Sequence, residues 1–258
     1  LDNFESNLII GIYYLKNDNI PKAKEYFTKL NKNKNLNLLQ ELLYKTLNNW
    51  SNISETKDIR IAISLMENFP KRFKNIKKIQ NLFIHCRYDS ADTDKVFKDL
   101  LTDTSTDLSR YYFFYSNYFL KKGNKLEAKK ILNTALKKYP RNLLLNQLKI
   151  DIDLNKDFTD QFNCKNIAEV IGEIFYITAN ALSATNNYSA SNFYLNLANY
   201  LNPRFASFQT LHAENLFNIQ KLSQSKINKD DSVDELNELL DGIDTSYIVK
   251  NSLISLSA

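Results

Sequence analysis

Between residues 109 and 140 large apolar residues recur at spacings of three and four: Tyr112, Tyr115 and Phe119 before Gly123, and Leu132 after it. The small residues Ser116, Ala128 and Ala135 interleave with them. Such spacings bring side chains onto one face of an α-helix, so the stretch predicts two helices broken at Gly123. Glycine suits the left-handed residue that ends a helix, and Pro140 cannot continue the second one. Small side chains let two antiparallel helices approach closely, while the large ones fill the space on either side.

The alternation returns elsewhere. Phe175, Ala179, Leu182, Ser191, Leu195 and Ala198 precede Pro203 and define a unit at 172–203. Phe4, Ile10, Gly11, Tyr14, Ala23, Phe27 and Leu30 define another at about 4–35. A fourth, 206–241, opens with Ala213 and Leu216, is interrupted by the polar stretch 223–231, and resumes at Val233, Leu236, Leu239 and Leu240. Between the units the register is irregular. Helices are expected at about 38–50, 57–68, 74–87 and 92–102, as two diverged hairpins within 36–103 or, alternatively, a non-repeat helical insertion. In the degenerate unit 141–171, a helix over 142–154 is expected, its partner merged with or replaced by the run 166–171. Residues 244–258, apolar at Ile248, Leu253, Ile254 and Leu256, read as a first helix without its hairpin partner. That points to a piece of a longer array, or to a face for a dimer or partner contact.

Large and small residues in this order, over a period of about 34 residues, resemble the tetratricopeptide repeat. The chain is also similar to a group of bacterial tetratricopeptide proteins, often exported, in its opening residues from Phe4 to Tyr14, in Ala168 to Leu182 and in Leu195 to Phe205. The resemblance implies an all-α fold, a single right-handed superhelical solenoid of antiparallel helix hairpins over 1–258. It implies a non-catalytic scaffold for a protein or peptide, in the periplasm or cell envelope rather than the cytoplasm. In tetratricopeptide arrays the concave surface is lined by first-helix residues. The matching positions are Arg110, Phe113, Asn117 and Leu120, then Glu173, Tyr176, Asn180 and Ser183, then Ser207, Thr210, Glu214 and Phe217. Asn117 and Asn180 offer both donor and acceptor to a peptide backbone, and Phe113, Tyr176 and Phe217 could supply apolar pockets. The lysine and arginine clamp that some members use for a C-terminal carboxylate is not reproduced.

Composition narrows the alternatives. The chain has 258 residues, 43% hydrophobic and 24% charged, which suits a globular protein. Only 4 Gly and 4 Pro occur, too few for a β-sandwich or a glycine-rich dinucleotide turn. No unbroken apolar run approaches the ~18–20 residues that span a bilayer. Met66 is the only methionine, so a processed or trimmed N-terminus is expected, with any leader already removed. The abundance of Asn and Lys reads as codon bias. Cys86 and Cys164 are too few for a disulfide framework and say little about compartment.

No catalytic or cofactor signature emerges. His85 and Cys86 are adjacent and point about 100° apart on a helix, and His212 falls at a packing position. Asp151, Asp153, Asp157 and Asp160 lack the turn glycine and terminal glutamate of a calcium loop. Neither an enzyme, a cofactor nor a metal is expected. The net charge of +5 is mild. Lysines 121, 122, 125, 129, 130, 137 and 138 read as a solvated face rather than a phosphate track. The denser patch at Lys71, Arg72, Lys74, Lys77 and Lys78 keeps nucleic acid as the alternative partner, and self-association through 244–258 as a third reading.

Overall fold

The computed structural model describes residues 3–32, 35–103, 107–156 and 160–227, with side chains as far as 222. Among these residues there is no strand, and the fold is all-α. The helices are α1 (Phe4–Lys16), α2 (Ile20–Lys29), α3 (Leu38–Glu55), α4 (Ile59–Glu67), α5 (Lys74–Arg87), α6 (Thr93–Leu101), α7 (Ser109–Lys121), α8 (Lys125–Lys138), α9 (Leu143–Asp153), α10 (Ile167–Ala184), α11 (Tyr188–Leu201) and α12 (Ser207–Ile227). One 3₁₀ turn, Lys71–Phe73, leads into α5. The run 166–171 opens α10, with Asn166 as its cap.

Asparagine has a structural use that codon bias does not describe. Asn3, Asn19, Asn37, Asn124, Asn142, Asn166 and Asn187 each start a helix, with the side-chain oxygen accepting an N–H of the first turn. Each such cap stabilises its helix by roughly 1 kcal/mol relative to alanine. Asn37 and Gln40 complete a reciprocal capping box.

Five corners share one shape. Asp18, Asp89, Gly123, Asn155 and Asn186 all have φ between 48° and 72°. After each, an N–H bonds back to a carbonyl five residues earlier: Asn19 to Tyr14 (2.9 Å), Ser90 to His85 (3.0 Å), Asn124 to Phe119 (2.9 Å), Lys156 to Asp151 (3.0 Å) and Asn187 to Leu182 (3.0 Å). This is the Schellman helix end, for which Gly, Asn and Asp tolerate the left-handed residue. In α1–α2, α7–α8 and α10–α11 the bonding asparagine is also the cap of the second helix, so the three hairpins turn in the same way.

The chain forms two compact units, Leu1–Lys57 with Asn166–Ala258, and Asp58–Lys165. In the first, α1 packs on α2 and α2 on α3, while α11 packs on both α10 and α12. Contacts of α3 with α10 and α1 with α11 join the two stretches, and Lys16 Nζ donates to the Leu201 carbonyl at 3.0 Å. In the inserted unit each helix from α4 to α9 packs on its successor, and α7 also meets α9. The expected small residues are buried where helices meet: Gly11, Ala23, Ser116, Ala128, Ala135, Ala179, Ser191 and Ala198. Gly172 brings α10 against α11 closely enough that a Cβ there would lie 3.3 Å from the Ala198 carbonyl oxygen.

Two expectations for α12 are corrected. Ala213 and Leu216 face solvent, because the inward row is Phe208, Leu211, Asn215 and Ile219. Asn215 is fully buried; its Nδ2 donates to Ser191 Oγ (2.7 Å) and Asn192 Oδ1 (2.9 Å), and its Oδ1 accepts from Ser183 Oγ (2.6 Å). A polar residue sits where an apolar pattern would place none, so the apparent register is rotated. The helix continues through 223–227, and the rest of the polar stretch lies outside the described residues. The expected helix resuming at Val233 and the unit at 244–258 lie outside the described residues.

Among the described residues α10 alone is long and apolar enough to cross a membrane, with 61% of that stretch buried in the protein. Its packing against α3, α11 and α12 accounts for that apolar character.

Candidate functional site

Helix α7 is aromatic on nearly every side, and each side has a partner. Tyr115 stacks on Phe97 with centroids 4.6 Å apart, and its hydroxyl donates to the Asp94 carboxylate. Burial raises the Asp94 pKa, but bonds from Lys98 and Tyr115 bring it below the ordinary value. Phe114 lies 4.4 Å from Phe162 and also meets Phe83. The remaining side presents Phe113, Asn117 and Leu120 to Leu144, Gln147, Leu148 and Ile152 of α9. Between these rows lies an open cavity of about 570 Å³, rimmed by Lys125, Asp151, Lys156 and Gln161.

Asn117, Lys125, Gln147, Asp151, Lys156 and Gln161 supply the cavity's polar lining. Asn117 is 4% exposed and its Oδ1 has no hydrogen-bond partner. An unmet buried acceptor destabilises the fold by about 1–3 kcal/mol unless something supplies a donor. At the rim Asp151 accepts from Gln147 (2.9 Å) and Lys156 (2.9 Å), while Lys125 donates to Asn155. Phe113, Leu120, Leu144, Leu148 and Ile152 supply its apolar lining.

One wall is fastened covalently. Cys86, near the end of α5, forms a disulfide with Cys164 across 78 residues. Residues 160–165 are held further by Lys121, which donates to the Phe162 carbonyl (2.7 Å) and pairs with Asp160 (2.9 Å), and by the Lys165–Asp89 pair (2.5 Å). Arg87 also donates to the Lys165 carbonyl. This segment carries Gln161 to the cavity. Pairing of two lone cysteines far apart in sequence left no local signal to find.

The other expected groove residues are dispersed. Arg110 is half-buried over the Phe114 ring. Glu173 is fully buried, a correction that follows from the close packing of α10 by three helices. Tyr176 is half-buried with its ring 5.5 Å from Phe208, and Ser183 is engaged by Asn215. Ser207 is half-buried, and Asn180, Thr210, Glu214 and Phe217 are exposed. The α9 residues of the cavity were absent from the expected set, although α9 itself was legible from its apolar spacing.

The lysine run is largely partnered: Lys121 to Asp160, Lys129 to Asp153, Lys130 to Glu127 and Lys122 to the Tyr118 hydroxyl. Among the described residues no three His, Cys, Asp or Glu side chains group closely enough to hold a metal. Burial lowers the His85 pKa, with Asp92 opposing it, and lowers that of His212. The unfolded chain therefore takes up protons near the ordinary histidine value of ~6.5 before the folded chain does, so acid favours unfolding. The melting temperature is expected to fall as pH drops below about 6.5, with a flatter profile in a His85→Gln/His212→Gln variant. Equal slopes for both proteins in melts between about pH 7.5 and 5 would contradict this assignment.

Comparison with protein-family models, with curated proteins and with solved structures gave no match to this chain.

Proposed function

We propose that this chain is a non-catalytic scaffold of the tetratricopeptide type, its hairpins continuing as a right-handed superhelix, that binds a protein or peptide segment through the cavity between α7 and α9. The observation that carries the reading is the convergence of Phe113, Asn117 and Leu120 on one open cavity. The repeated corners and the buried small residues support the repeat architecture. The Cys86–Cys164 disulfide supports an oxidising compartment, such as the cell envelope.

Asn117 supplies a test with a double signature. Asn117→Leu replaces the unmet acceptor with a methyl group on the same branched skeleton, so stability is expected to rise by roughly 1 kcal/mol. The same change removes the polar anchor for a peptide backbone, so affinity for peptides selected from a display library on the wild-type chain should fall by about tenfold. Leu120→Arg and Leu144→Arg, at half-buried wall positions, should abolish that binding with the helical circular dichroism unchanged. Selected peptides that bind all three variants as tightly as the wild type would remove the cavity from the account.

A further inference from the structure

The chain's net charge is +5, and residues 71–78 hold five basic side chains and no acidic one, so the remaining residues balance. The five sit at the corner between α4 and α5. Pro70 opens the 3₁₀ turn Lys71–Phe73 there, and the buried Phe69 meets the Phe73 ring edge-on at 6.1 Å, which anchors the corner. Lys71, Lys74 and Lys78 recur at spacings of three and four, so they share one side of the helix, and all three are exposed. Phe73 and Ile76 are half-buried among them.

The neighbouring charges leave the patch positive. Helix α5 contains no acidic residue, and its first N–H groups have no side-chain cap, which adds the positive end of the helix dipole. On α6, which packs against α5, Asp94 and Asp99 are matched by Lys95 and Lys98. Asp58, at the start of α4, is taken by Arg60 at 2.7 Å. Setting Glu67, which closes α4, and Asp103, which follows α6, against the patch still leaves three positive charges over. Among the described residues no carboxylate pairs with Lys71, Lys74 or Lys78.

Charge complementarity calls for an anionic partner, and three features favour a bilayer surface. Four of the five basic residues are lysines, whose apolar stems can lie along a membrane interface with the ammonium among headgroups. Nucleic-acid recognition draws instead on the planar fork of arginine. Phe73 and Ile76 place apolar edges within the patch, where they can meet the headgroup boundary. The same unit holds the Cys86–Cys164 disulfide, a bond typical of secreted, periplasmic and cell-surface proteins. The extended polyanion met in those places is the headgroup layer of a membrane.

We propose that the corner between α4 and α5 docks on a bilayer surface rich in anionic phospholipid, with Lys71, Arg72, Lys74 and Lys78 among the headgroup phosphates. None of these residues lines the cavity between α7 and α9, so membrane docking and peptide binding are separable.

Co-sedimentation of the full chain with vesicles tests it. Vesicles of phosphatidylglycerol mixed with phosphatidylcholine should retain the chain at low salt and release it as salt rises, and phosphatidylcholine alone should not retain it. Lys71→Glu/Lys74→Glu/Lys78→Glu should weaken retention at least about hundredfold, with the melting temperature little changed. Lys137→Glu/Lys149→Glu/Lys221→Glu alters the net charge equally at exposed positions elsewhere, and should weaken retention by less than about tenfold. No retention by the anionic vesicles, equal retention by the neutral ones, or equal losses in the two triple variants overturns the proposal. So does a DNA oligonucleotide that frees the chain from the vesicles at a phosphate concentration equal to theirs, which would assign the patch to nucleic acid.

Discussion

Replacing Cys86 and Cys164 together by serine is expected to destabilise the inserted unit by about 4 kcal/mol. The disulfide closes a span of 78 residues, and restriction of the unfolded chain grows with the length of the closed loop. The bond also anchors residues 160–165 beside the Phe83, Phe114 and Phe162 rings. Urea unfolding followed by circular dichroism should show the loss in the variant. A reductant should reproduce it in the wild type and do nothing further to the variant. Trp50, the only tryptophan, is buried in the terminal unit, so its fluorescence transition should move less than the overall one. Because Gln161 reaches the cavity from the fastened segment, reduction should also weaken peptide binding. An unfolding midpoint indifferent to reductant would contradict the structural role given to the bond.

Phe27→Ala is expected to destabilise the terminal unit by about 3–5 kcal/mol, the range for removing a fully buried ring. Phe27 lies on Gly11 so closely that a Cβ there would sit 2.4 Å from its ring. Gly11→Ala alone should therefore destabilise by about 1–3 kcal/mol through overpacking. In the Phe27→Ala background the added methyl meets open space, and the same substitution should be neutral or slightly stabilising. Trp50 fluorescence during denaturation measures all three variants. Simple additivity of the two changes would show that the ring and the glycine do not constrain one another.

Apolar spacing made the helices legible, including α5 and α9, because burial on one face imposes a period that survives divergence. The corners were harder. Gly123 announced its corner, yet Asp18, Asp89, Asn155 and Asn186 adopt the same backbone with residues equally common elsewhere in the chain. Asn215 misled the register of α12, since an amide can be buried when neighbouring hydroxyls and amides satisfy it. For the candidate site, the resemblance named Phe113, Asn117 and Leu120, which line the cavity, but Glu173 shows the limit of that reasoning. Whether such a position stays open depends on which distant helix packs over it, and contacts such as α3 with α10 leave no mark in local sequence.

The terminal unit is assembled from stretches on both sides of the inserted one, and this bears on the order of synthesis. As the chain leaves the ribosome, α1, α2 and α3 emerge before the inserted helices, but the surfaces that later meet α10 and α11 must wait. The inserted helices, each packing on its sequence neighbour, can close while the chain is still growing. Final closure needs contacts across very long separations, such as Lys16 with Leu201. Helices α1 to α3 are therefore made before the inserted unit yet find their α10 and α11 partners only after it, and until then the surfaces that meet α10 and α11 stay uncovered.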